Sequence, residues 1–263
     1  MRFVKDSFAY KSTTQIDSSI VCTPTTYNMI VQNKAVIHLA EQRGFLSSEG
    51  QKSYVTFNFG EYQNEHRKPF GVLQLWNEEI LSAEKSIELT VPQSVDVVLV
   101  PLAGLIEYKD SKGTENFISA GQIYVTSLSE GTNYRILNPF EKDETVICLH
   151  MWLTKTTDIA DPTEQITFNL DEINQLLPLI TATTKPYQCY IGKYDGRVKG
   201  EYTLTDNRNG IYVFVITGAF EVQDRLLHAK DALALWETES IDFEALSEGA
   251  ILLLFEISGE FSA

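Results

Sequence analysis

The stretch VDVVLVPLAGLIEYKDSKGTENFISAGQIYVTSL, residues 95–128, decides the fold class. It opens with apolar runs broken at Pro101 and Gly104, and a polar turn, Asp110-Ser111-Lys112-Gly113, follows. After Gly121 comes the run QIYVTSL. Short runs rich in Val, Ile and Tyr, bounded by turn formers, are strands, because branched and aromatic side chains fit a pleated, half-buried surface. Upstream, SYVTFNF (53–59) alternates, with Tyr54 and Asn58 on one side and Val55, Phe57 and Phe59 on the other. Downstream, TVICLHMWL (145–153) closes this half. The pattern predicts an all-β sandwich or barrel.

The second half repeats the plan. LAGLIEYKD (102–110) matches ITGAFEVQD (216–224), with Gly104 opposite Gly218 and Asp110 opposite Asp224. AGQIYVTS (120–127) matches KDALALWE (230–237), and TVICLHMWL matches AILLLFEI (250–257). Matches in the same order point to an internal duplication. Asn209-Gly210, within GEYTLTDNRNGIYVFVITGAFEV, predicts a tight hairpin, since both central residues of a type I′ turn need positive φ. Between the halves, TKTTDIADPTEQ (154–165) reads as a linker. NLDEINQLLPLI (169–180) reads as a short helix capped by Asn169 or Asp171 and stopped by Pro178. The division expected is an extension over 1–30 (an arm or an extra edge strand), a β domain over 31–155, linker and helix over 156–180, and a second β domain over 181–263.

Composition bounds the function. A chain of 263 residues suits two domains, and 43% hydrophobic residues with 14 Phe and 12 Tyr supply a core. A formal charge of −15 with no basic run argues against a nucleic-acid partner, which needs clustered Lys and Arg to release counterions. Cys22, Cys148 and Cys189 are far apart, so no disulfide framework is expected, and Cys148 reads as a buried, inert thiol. No apolar stretch approaches the ~20 residues of a membrane span, and the N-terminus lacks a signal-peptide pattern, so the expected location is the cytoplasm.

His38, His66, His150 and His228 are scattered, with no His-x-His. A metal site in a barrel draws on alternate positions of a strand, whose side chains point the same way, and no such histidine pair exists. Glu88 and Asp96 could substitute, but carboxylates alone hold first-row metals poorly. No nucleophile elbow or P-loop occurs. Asp206–Gly210 has a calcium-loop look but puts Arg208 at a ligand position, and reads as a turn. Glu78-Glu79 reads as an exposed polar turn, and Trp76, Trp152 and Trp236 as core.

The segments RGFLSS with YVTFNFGEY, KPFGVLQLWNEEIL, 95–139 through Asn138-Pro139, and CLHMWL together resemble the pirin family of bicupins. The resemblance runs from about residue 31 to the end and is best over 95–153; GAFEVQDRLLHAKDALALWE resembles the matching C-terminal stretch. It implies two cupin barrels in tandem and, in typical members, a metal held by His-x-His and a later His-x-Glu in the first barrel. Some members are quercetin-cleaving dioxygenases, and others are regulators acting through protein partners.

Laid onto this chain, the motif puts Thr90 and Pro92 at the His-x-His positions and Tyr134 and Ile136 at the His-x-Glu positions. All of these ligands are replaced, so no metal and no cofactor is expected, and the dioxygenase activity does not carry over. His150 stands where pirins usually have Gln. Either Thr90, Tyr134 and His150 line an open pocket for a polar aromatic ligand, or Tyr134 fills the hole and the barrel is core. The expected role is a non-catalytic protein that binds a small ligand or a protein partner, with no nucleic acid or membrane partner and an oligomer open. The alternatives are a dioxygenase-like oxidoreductase using an unrecognised metal site, and a purely structural role.

Overall fold

Apolar runs such as VDVVLVPLA and AILLLFEI alternate weakly because those strands are buried on both faces. The computed structural model describes residues 33–142, 144–155, 161–181 and 184–261. The expected N-terminal extension lies outside the described residues.

The first half contributes β1 (Lys34–His38), β2 (Gly44–Ser48), β3 (Gln51–Val55), β4 (Leu73–Leu81), β5 (Ser86–Thr90) and β6 (Val95–Ala103). It continues with β7 (Leu105–Asp110), β8 (Glu115–Ser119), β9 (Gln122–Leu128), β10 (Asn133–Leu137) and β11 (Val146–Thr154). The second half holds β12 (Glu164–Thr167), β13 (Gln175–Ile180), β14 (Tyr187–Tyr194), β15 (Lys199–Thr203) and β16 (Gly210–Thr217). It ends with β17 (Ala219–Val222), β18 (Arg225–His228), β19 (Ala232–Trp236), β20 (Ser240–Ala245) and β21 (Ala250–Ile257).

A seven-stranded sheet (β12-β9-β6-β11-β4-β3-β2) and a four-stranded one (β5-β10-β7-β8) make the first barrel. A six-stranded sheet (β1-β19-β16-β21-β14-β13) and a four-stranded one (β15-β20-β17-β18) make the second. Each barrel has its own apolar interior, around Leu99, Tyr108 and Ile136 in the first and Val213, Phe220 and Phe243 in the second. A third core lies between the two large sheets. There Trp76 of β4 packs on Tyr212 and Phe214 of β16, with ring centroids 4.9 and 5.1 Å apart. The central strands serve a barrel with one face and this shared core with the other.

The duplication is visible in the backbone. Gly104 and Gly218 join β6 to β7 and β16 to β17 at φ 77° and 79°. A Cβ on either would sit 2.7 Å from a side chain opening the last strand of its barrel, Val146 or Ala250. The same chain crossing recurs in both halves, and only glycine fits it.

Several expectations need correction. The 169–180 segment is not a helix: Asn169 forms an Asx turn onto Asp171 N, Asn174 takes φ 65°, and β13 then pairs with β14. Pro178 is tolerated because β13 is an edge strand with a register shift beside it. The barrels also exchange edges. β1, expected in the first domain, pairs with β19 in register Lys34↔Trp236, and β12, expected in the linker, pairs with β9. Each covers a strand edge that would otherwise be unpaired. Asn209-Gly210 is no hairpin, because β15 and β16 belong to different sheets. The two-residue turn with both φ positive is Gln223-Asp224, between β17 and β18. The strand over SYVTFNF ends at Val55. Glu78 and Glu79 lie within β4 and are buried. The three tryptophans are core.

Ionic contacts also tie the barrels. Glu78 meets Arg43 at 3.1 Å and Lys230 of the second half at 3.0 Å. Buried Asp96 of β6 receives Lys185 Nζ at 3.3 Å and the Tyr187 hydroxyl at 2.8 Å. Among the described residues no helix is long and apolar enough to cross a membrane.

Candidate functional site

The first barrel's interior is apolar except for one polar group, built from β3, β4, β10 and β11. Strand parity selects it. On β4, Asn77 and Glu79 share the inward face with Leu75 and Leu81, and on β11 His150 and Trp152 share it with Val146 and Cys148. Tyr134 and Ile136 of β10 point into the same core.

The Tyr134 hydroxyl is the hub. Trp152 Nε1–H donates to it at 2.6 Å, and it lies 2.6 Å from His150 Nε2. With one proton received from Trp152, the phenol gives its own to Nε2, which leaves the imidazole proton on Nδ1. Nδ1 faces Glu79 Oε1 at 3.5 Å, within ion-pair range but without hydrogen-bond geometry. Glu79 is held by the Ser53 hydroxyl and by Asn77 Nδ2 at 3.0 Å. Burial pushes the Tyr134 phenol well above its ordinary pKa, opposed by the Trp152 N–H. It is therefore a neutral donor, not a phenolate. Tyr108 stacks on Tyr134 with ring centroids 5.9 Å apart, and His150 is fully buried. These groups are buried in the barrel interior.

Of the residues singled out from sequence, Tyr134, Ile136 and His150 come together here. Thr90 and Pro92 do not. The β5–β10 register sets Leu89 opposite Tyr134 and Ile87 opposite Ile136, so the inward residues are Ile87 and Leu89. Thr90 pairs with Asn133 and spends its hydroxyl on that side chain. Thr90, Pro92 and Gln93 instead form the rim of a hollow of about 390 Å³ at the barrel mouth, with Phe59, Leu75 and Trp152 below. Glu88 is exposed, and Asp96 belongs to the inter-barrel ion cluster.

These residues do not fit a metal. Pro92 and Ile136 offer no donor, and the Thr90 hydroxyl and Tyr134 phenol are committed to neighbours. Among the described residues no three His, Cys, Asp or Glu side chains converge on one point.

Sequence reasoning missed Glu79, Asn77, Ser53 and the polar role of Trp152. The signal was present in LQLWNEEIL, where counting by twos from Leu75 puts Asn77 and Glu79 on the core face.

Residues 185–257 match the quercetinase C-terminal cupin domain family. Quercetin 2,3-dioxygenase of Escherichia coli is 22% identical over 220 residues, 81% of this chain and 95% of that protein. The pirin-like protein YhaK of the same organism is 29% identical over 107 residues, 41% of this chain and 46% of that protein. Among solved structures, YhhW from Escherichia coli superposes with a TM-score of 0.77 at 18% identity, covering 88% of this chain and all of that one. The YhaK structure gives 0.66 at 21% identity, covering 78% and 93%. This chain has the fold of the pirin-like cupins. Its tandem barrels are those of the pirin-like bicupins, and a structure of YhhW was obtained in complex with nickel(II). The pirin-like fold is kept here around a buried polar cluster in which Trp152, Tyr134 and His150 are hydrogen-bonded in series while His150 Nδ1 and Asn77 Oδ1 have no hydrogen-bond partner.

Proposed function

We propose that this pirin-like cupin is a binding protein for a small ligand, working without a metal and without dioxygenase chemistry. The observation that carries the reading is the Tyr134 phenol, wedged between Trp152 Nε1 and His150 Nε2 at 2.6 Å from each. A metal-dependent dioxygenase needs open coordination positions facing a substrate cavity. Here the phenol, the imidazole Nε2 and the indole N–H are taken up by one another, and Tyr134 is 3% exposed. Binding then falls to surfaces outside the first barrel's interior.

The test is elemental analysis of untagged protein before and after incubation with iron, nickel, copper and zinc, alongside a quercetin-turnover assay. Near-zero metal and no turnover above the metal-only blank are the expected results. Stoichiometric metal with turnover would overturn the reading in favour of the dioxygenase named among its relatives.

A further inference from the structure

β1 and the segment 64–70 face each other across two adjoining hollows of about 440 and 300 Å³, which share Val36, His38 and His66. The larger is within the usual range for small-ligand sites. Its floor is apolar: Phe70 and Trp236, with ring centroids 6.2 Å apart, are joined by Ala234 and Val36.

Arg67 is in the wall of the smaller hollow and is 5% exposed. Among the described residues its guanidinium meets no carboxylate. Nη2 donates to Gln42 O at 3.3 Å and Gln42 Oε1 at 3.2 Å, and Nη1 has no acceptor. A buried cation without a counter-ion is costly, and Arg67 has none among the described residues although the chain carries a net charge of −15. An anionic ligand supplies what it lacks, and guanidinium fits carboxylate geometry best.

His38 stands in both walls, with Nδ1 3.2 Å from the Tyr212 hydroxyl. Burial, then the Arg67 charge, lowers its pKa to about 3, so the ring is neutral at ordinary pH. Lys68 and His66 flank the opening, opposed by Glu65, 3.4 Å from His66 Nε2.

We infer that this cleft binds a small aromatic carboxylate, its carboxylate paired with Arg67 and its ring laid on Phe70 and Trp236. The inference rests on the binding role proposed above and gives that role a site.

The test is calorimetric titration of the full chain, in the presence of a chelator, with 2-naphthoate and with its neutral isostere 2-naphthamide. The wild type should bind the acid at least tenfold more tightly than the amide. Arg67→Gln should remove that preference while leaving amide binding unchanged. Because Arg67→Gln deletes an unpaired buried cation, its unliganded unfolding temperature should not fall; a second variant, Val36→Glu, sets a competing carboxylate in the cleft and should abolish acid binding. Equal binding of acid and amide, no binding up to millimolar naphthoate, or a preference that survives Arg67→Gln would overturn the inference. The two failures are distinct. Metal with quercetin turnover sinks the metal-free reading whatever the naphthoate result, and absent naphthoate binding in metal-free, inactive protein sinks only the cleft.

Discussion

Tyr134→Phe removes a single oxygen from the first barrel and leaves its volume almost unchanged. Its cost follows from what the oxygen does. Trp152 Nε1–H loses its acceptor and His150 Nε2 loses its donor, each at 2.6 Å from the missing atom. Trp152 is 7% exposed and His150 0%, so neither finds water without the barrel opening. Stranding a buried polar group costs about 1–3 kcal/mol, so two together cost about 2–6 kcal/mol. With a urea dependence of about 3 kcal/mol/M for a chain of this size, the midpoint should fall by roughly 1 M, with the slope unchanged. Equilibrium urea unfolding followed by tryptophan fluorescence reads this directly. Trp152→Phe and the double variant complete a cycle, in which the pair should show a coupling of about 1 kcal/mol or more. A loss below about 0.5 kcal/mol would match an exposed site. Water would then be replacing the phenol, the barrel interior would be open, and the argument against a metal-dependent pocket would lose its basis.

Two further outcomes follow from geometry already described. His38 has a folded pKa of about 3 against an ordinary 6.5, so between those values the unfolded chain takes up a proton that the folded one does not. Stability should therefore fall as pH drops below 6.5, approaching about 1.4 kcal/mol per pH unit from this group, and His38→Gln should flatten that limb in urea titrations between pH 6.5 and 4; an unaltered slope would refute it. Gly218→Ala, at φ +79° with Ala250 Cβ 2.7 Å from the added methyl, should cost about 2–4 kcal/mol. Gly113→Ala, at φ +92° in open space, should cost only about 1–2 kcal/mol, and similar losses at the two sites would show that conformation rather than crowding sets the penalty.

The strand character of the chain, its tandem plan and its Gly104–Gly218 correspondence were legible in the sequence because they rest on local matters. Residue type sets strand preference, and a chain crossing at positive φ demands glycine wherever it recurs. Burial of Trp76, Trp152 and Trp236 was legible for the same reason: large apolar groups have few other places to go. That Pro92 and Ile136 carry no side-chain donor could be read off the chain too, since what a side chain can donate is set by residue type.

Tertiary structure decided where edges are covered and which groups meet. The 169–180 segment opens with the cap and acidic first turn of a helix, Asn169 to Glu172, yet a free edge on β14 makes Gln175–Ile180 a strand. Lys34–His38 follows the same logic across the molecule, pairing with β19 some two hundred positions away. Nothing local distinguishes Thr90 from Leu89 as the inward residue; that is a matter of register against β10, which is fixed when the sheet forms. Tyr134 and Trp152 meet His150 only because β10 and β11 line one barrel, and Arg67 is stranded beside His38 only because β1 crosses onto the second. Sequence determines which chemistry is available, through residue type and local conformation. Long-range pairing determines which of those groups share a space, because a hydrogen bond or an unpaired charge exists only between atoms the fold has brought together.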